Sequence, residues 1–117
     1  MDLRELVQAL LAGDLLTARQ CVADAQRARV SWAQIDQPND MSSLETTVAA
    51  AIVELMAMRG GSEPPVWTAA VGALPEILVL DPGLEQMPRS FAHAKVAGPE
   101  PLRRRNLIAL PDFLNVA

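Results

Sequence analysis

Apolar positions open the chain at helical spacing. Leu3, Leu6, Val7, Leu10 and Leu11 fall at i, i+3, i+4, i+7 and i+8, one face of a helix. Asp2 stands at the N-cap and Glu5 at the capping-box position. Gly13 supplies the left-handed residue that stops this helix, and Asp14 caps the next, whose stripe is Leu15, Ala18, Val22 and Ala25. Helices over about 2–12 and 14–29 with so short a break predict a tight hairpin or corner. Ser31 to Met41 is a connection carrying Trp32 and Ile35, with a turn at Gln37-Pro38-Asn39-Asp40. Ser42-Ser43-Leu44-Glu45 is a second capping box. Leu44, Val48, Ile52, Leu55 and Met56 then run down one face of a helix over 43–59, stopped by Gly60-Gly61. It is Ala-rich, lets neighbours approach closely, and is the expected centre of the core.

The pattern changes after residue 61. All but one of the nine prolines lie from Pro64 onward, which rules out long helices there. Pro64-Pro65 can start a short helix through Trp67 to Val71. Pro88 can start another to about Ala97, with Gly98 as its stop, and Pro99-Glu100-Pro101-Leu102 a last turn. Ile77-Leu78-Val79-Leu80 is an apolar run of strand length with no partner run in the chain, so it is expected as an extended packing segment. No repeat or low-complexity tract interrupts this pattern. The expectation is one all-α domain over 1–117: a compact helical domain with three main helices in 1–61, then Pro-rich short helices and an extended C-terminal tail over 62–117.

Composition supports that class. Half the residues are hydrophobic but only 3 % are aromatic, so Leu, Val, Ile, Ala and Met must build the core, as helix-on-helix packing favours. A chain of 117 residues can hide enough surface for a core without disulfides or metal. The net charge of −4 argues against direct nucleic-acid binding. One cysteine makes no internal disulfide, and no basic segment followed by an apolar run opens the chain. No apolar stretch is long enough to span a bilayer, and the expected location is the cytoplasm.

Little catalytic chemistry is present. The chain holds one histidine, His93, one cysteine, Cys21, and no tyrosine. A His/Cys metal cage cannot close with that set, and no metal or cofactor is expected. His93 reads as a surface side chain. Its spacing from Arg89 is shorter than in the Arg–His motif of HEPN ribonucleases. Cys21 reads as a small buried side chain, and Trp32 and Trp67 as plugs between helices. No spacing pairs Asp81, Glu85, Asp112, Glu100 or Glu76 for acid–base work, and no glycine-rich phosphate loop occurs. An enzyme is therefore not expected.

Two features carry a binding reading. Arg103-Arg104-Arg105 is either a solvated basic turn or a contact for an acidic partner. The segment from Leu107 to Ala117 is apolar where chain ends are commonly polar. Leu107, Ile108, Leu110, Phe113 and Leu114 either fold back over the domain's own core or enter a groove on another protein. Arg103, Arg104, Leu110, Phe113 and Leu114 are the candidate partner contacts.

Two resemblances bear on this. Leu10-Leu11-Ala12-Gly13-Asp14 with Ala18 resembles the helical cap before cobalamin-binding domains, but the Asp-x-His-x-x-Gly motif of those domains is absent. More broadly, the run from Leu3 to Gln20, Pro64-Pro65-Val66-Trp67-Thr68, Pro99 to Leu107 and Pro111 to Ala117 resemble a family of short, uncharacterised bacterial proteins. Its members are found beside nucleotidyltransferase-like proteins in an arrangement resembling toxin–antitoxin pairs. The resemblance implies a protein–protein interaction module, antitoxin-like or an accessory subunit of a cytosolic bacterial enzyme, with a nucleotidyltransferase-like partner. It carries no site residues. The alternatives are a small enzyme or ligand-binding protein using carboxylates near Asp81 and Asp112, in a pocket holding both, and a structural homodimer.

Overall fold

The computed structural model describes residues 2–115; Met1, Val116 and Ala117, at the ends of the expected domain and tail, lie outside the described residues. The chain is mostly helical, with six α-helices among the described residues: α1 (Leu3–Leu11), α2 (Leu15–Arg27), α3 (Ser43–Arg59), α4 (Val66–Ala69), α5 (Pro88–Ala97) and α6 (Glu100–Arg103). A division into three main helices is too coarse, because α5 at ten residues is as long as α1 at nine. Short 3-10 turns cover Trp32–Gln34 and Leu84–Gln86.

The caps written in the sequence form as the residue types require. Asp2 accepts from the Arg4 amide, Asp14 accepts from the Thr17 amide, and Ser42 and Glu45 make a reciprocal capping box. At their far ends α1, α2 and α3 close in one way. The amide three residues past the last helical residue bonds back to the carbonyl two residues before it: Asp14 N–H to Ala9 O, Val30 N–H to Ala25 O, Ser62 N–H to Ala57 O. The motif needs a left-handed residue just past the helix. Gly13 and Gly61 provide it in α1 and α3, but in α2 the position is held by Arg29, at φ 53°.

Helix α3 is buried all round from Thr47 to Ala57. It packs against α1, the Trp32–Gln34 turn, α4 and α6. The wide burial follows from its sequence, where Ala, Val and Ile fill every side and no polar face is left for water. Leu44, expected on the buried face, is instead exposed on the first turn. Trp32 and Trp67 are half-buried against this core, and the Trp67 Nε1 donates to Ile35 O at 2.8 Å.

The apolar run at 77–80 does have a partner. Leu78–Val79 (β1) pairs in parallel with Leu107–Ile108 (β2), in the register Leu78 with Leu107 and Val79 with Ile108. Parallel neighbours need a long crossover, and α5 and α6 supply it. The partner lies within the run read from sequence as a tail. Gly98 sits at the end of α5 at φ −60°, so its role is not a left-handed turn. A Cβ there would lie 2.5 Å from Ala109 O and 2.6 Å from Ala94 O; only glycine lets the two backbones approach this closely.

Candidate protein interface

The three consecutive arginines take three different places. Arg105 is 1 % exposed and engages all five of its N–H groups. Its Nη1 donates to Glu54 Oε1 at 2.7 Å and Pro101 O at 3.0 Å. Its Nη2 donates to Glu54 Oε2 at 3.0 Å and Thr68 O at 2.8 Å, and its Nε to Val71 O at 3.2 Å. Arg104 is exposed at its stem and pairs with the same carboxylate, Glu54 Oε1. Arg103 is exposed and its Nε donates to Gly98 O at 2.6 Å. Burial alone would raise the pKa of Glu54. The hydrogen bonds from Arg105 and the charges of Arg105 and Arg104 outweigh that and hold it below its usual value. This cluster is a structural clamp that ties α3 to α4 and α6.

The segment after α6 folds back on its own domain. Phe113 and Leu114 are buried in the main core, so these two candidate contacts present no surface to a partner. Leu110 is half-buried against a small second cluster of Leu84, Ala94 and Ile108. The backbone is fastened too: Arg59 donates to Phe113 O at 2.7 Å and Pro111 O at 3.2 Å, and Leu110 N–H to Asp81 Oδ2 at 3.3 Å. Of the five candidates, only Arg103 and Arg104 stand out from the surface.

A different surface combines charge with exposed apolar area. The groove between α1 and α2, about 380 Å³, is lined by Asp2, Glu5, Leu16, Thr17, Gln20, Cys21 and Asp24. Leu16, two residues past the Asp14 cap, is 82 % exposed. The stripe Leu15, Ala18, Val22 and Ala25 faces inward, which leaves Leu16 on the outer side. Asp24 is shared with Arg27 and Gln20, while Glu5 makes no ion pair among the described residues. Burial pushes the Cys21 thiol up, and the charges of Glu5, Asp24 and Asp2 push it further. It therefore stays protonated, a floor for the groove rather than a nucleophile. Sequence periodicity pointed past this groove because it sorts residues by their own helix. Two helices meeting at a corner bring Asp2 and Glu5 beside Asp24, and that follows only from the packing.

His93 is exposed, and neither Asp81 nor Asp112 lines this groove or the two other cavities, one at the end of α2 and one beside α4. Among the described residues no three His, Cys, Asp or Glu side chains gather where they could hold a metal ion, and no helix is long and apolar enough to cross a membrane. No family model, no curated protein and no solved structure matches the chain.

Proposed function

We propose that the chain is a protein-binding module that docks a basic segment of its partner into the α1–α2 groove. The observation that carries this reading is the exposed Leu16 set among Asp2, Glu5 and Asp24. An apolar side chain at the centre with like charges around it suits a partner whose Lys or Arg side chains flank an apolar anchor. The Cys21 floor gives that anchor a neutral, apolar seat. The antitoxin-like or accessory role implied by the family resemblance is the narrower form of this reading. It makes a nucleotidyltransferase-like enzyme, with a basic nucleotide-facing groove, the first partner to test.

The test is a tagged pull-down from the native host with three chains: wild type, Leu16→Glu and Glu5→Lys. Both substitutions lie on exposed positions, so thermal unfolding should stay near wild type. The expected result is a stoichiometric partner on the wild type that is lost on both variants and weakens with salt. A partner retained equally by both variants overturns the assignment of the groove.

A further inference from the structure

At the C-terminal end of α2 lies a cavity of about 360 Å³ whose character is opposite to the acidic lining of the docking groove. It is lined by Gln26, Arg29, Val30, Trp32, Met56, Arg59, Gly60, Leu114 and Asn115. Two guanidinium groups and no carboxylate line it, in a chain whose net charge is −4. Val30, Trp32, Met56 and Leu114 give it an apolar wall. Arg29 makes no ion pair among the described residues. Arg59 gives two of its five N–H groups to Phe113 O and Pro111 O, and the rest remain for another acceptor. The nearby carboxylate of Asp112 acts on Arg59 from outside the lining.

The backbone sets this cavity apart as well. Among the described residues four non-glycine positions have positive φ: Arg29, Asp40, Asn106 and Leu114. Asp and Asn tolerate that region; Arg and Leu rarely enter it. Arg29 and Leu114 both line this cavity. At the ends of α1 and α3 the equivalent left-handed position is glycine. At the end of α2 it is the residue that brings a guanidinium to the cavity. Strained backbone of this kind gathers where a side chain serves something other than the fold.

We infer that this cavity binds a small carboxylic acid with an apolar body, its carboxylate held by Arg29 and Arg59 and its body against Trp32, Val30, Met56 and Leu114. The planar guanidinium fork matches a carboxylate in two parallel hydrogen bonds. The volume admits a ligand of the size of a short fatty acid or an aryl-alkanoic acid. The site is independent of the docking reading, since the two share no residue.

The experiment is a titration of the isotope-labelled full chain with 3-phenylpropanoate and hexanoate, followed by backbone and indole N–H chemical shifts. The amide 3-phenylpropanamide is the uncharged control. A short peptide with an apolar last residue and a free terminal carboxylate tests the other source of the same chemistry. The expected result is a saturable shift at Trp32, Arg29 and Asn115, with none at Trp67 and none with the amide. Arg29→Gly restores the residue this helix end favours, so it should unfold at the same temperature as wild type or higher. It should nevertheless weaken acid binding about tenfold or more, the loss of one charge-assisted pair. That split between stability and binding is what a purely structural arginine would not produce. The inference is overturned if the acids give no saturable shift, if the amide binds as well as the acid, if Arg29→Gly leaves affinity unchanged, or if the peptide binds more tightly than either free acid.

Discussion

Among the described residues Glu54 is the one carboxylate sunk in the core, and its main partner lies 51 positions away. An isolated charge at that depth would be strongly unfavourable. Arg105 answers both carboxylate oxygens and uses its remaining donors on three carbonyls, and among the described residues no buried side-chain nitrogen or oxygen is left without a partner. Removing Arg105 leaves Glu54 with only the half-exposed Arg104 as an ionic partner, and removing Glu54 leaves the Arg105 charge buried among three carbonyls. Glu54→Gln should therefore lower stability by about 3 kcal/mol or more, read by urea unfolding. The double variant Glu54→Leu with Arg105→Met should recover much of that loss, because apolar replacement of a whole buried pair is commonly tolerated. A double variant less stable than the single would show that the pair contributes beyond its own mutual satisfaction. The signal for Glu54 was present in the sequence as a lone charge within AAAIVELMAM. What the sequence lacked was its partner. Of three adjacent arginines nothing local marks Arg105 as the buried one, since that depends on how α6 lands on α3.

Among the elements, legibility followed the range of the forces involved. The extents of α1, α2 and α3, their caps and their stops come from neighbouring residues, and the sequence showed them to within two residues. The start of α5 at Pro88 was equally plain. The β1–β2 pair was hidden because parallel pairing joins segments that only the whole crossover brings together. For the candidate sites the same division holds. The three arginines were read together as a solvated turn or a partner contact, and which of them is buried, like the inward course of Phe113 and Leu114, depends on a core formed elsewhere. Gly98 illustrates the point at one helix end. It was expected as a helix stop, yet the reason for glycine is the close carbonyl of Ala109, just past β2, together with that of Ala94. Gly98→Ala should destabilise by about 1–3 kcal/mol through overpacking, despite the lower conformational entropy of the unfolded alanine chain. Thermal unfolding of that variant checks it; a stability equal to wild type would mean that the β2 end shifts freely away from α5.

At the scale of the molecule, the second half acts as a belt around α3. Helices α4 and α6, the β pair and the segment through Leu114 all bear on the same core, and the Glu54 clamp holds three of its crossings together. Stability should therefore depend on pH through this carboxylate. Its pKa is lowered in the fold, so the contribution is present above the unfolded value and is lost as pH falls through the folded one. The unfolding temperatures of wild type and Glu54→Gln should lie far apart at neutral pH and converge as the solution is acidified. A gap that stays constant would mean that Glu54 does not titrate with the fold.

The distance along the chain between the two halves of that clamp also governs how the protein can be made. During synthesis α1, α2 and α3 leave the ribosome first, and α3 emerges with a carboxylate on a surface that must become interior. Sealing that surface without Arg105 would bury a poorly paired charge, so the last closure of this core is expected to wait for the segment that carries Arg105.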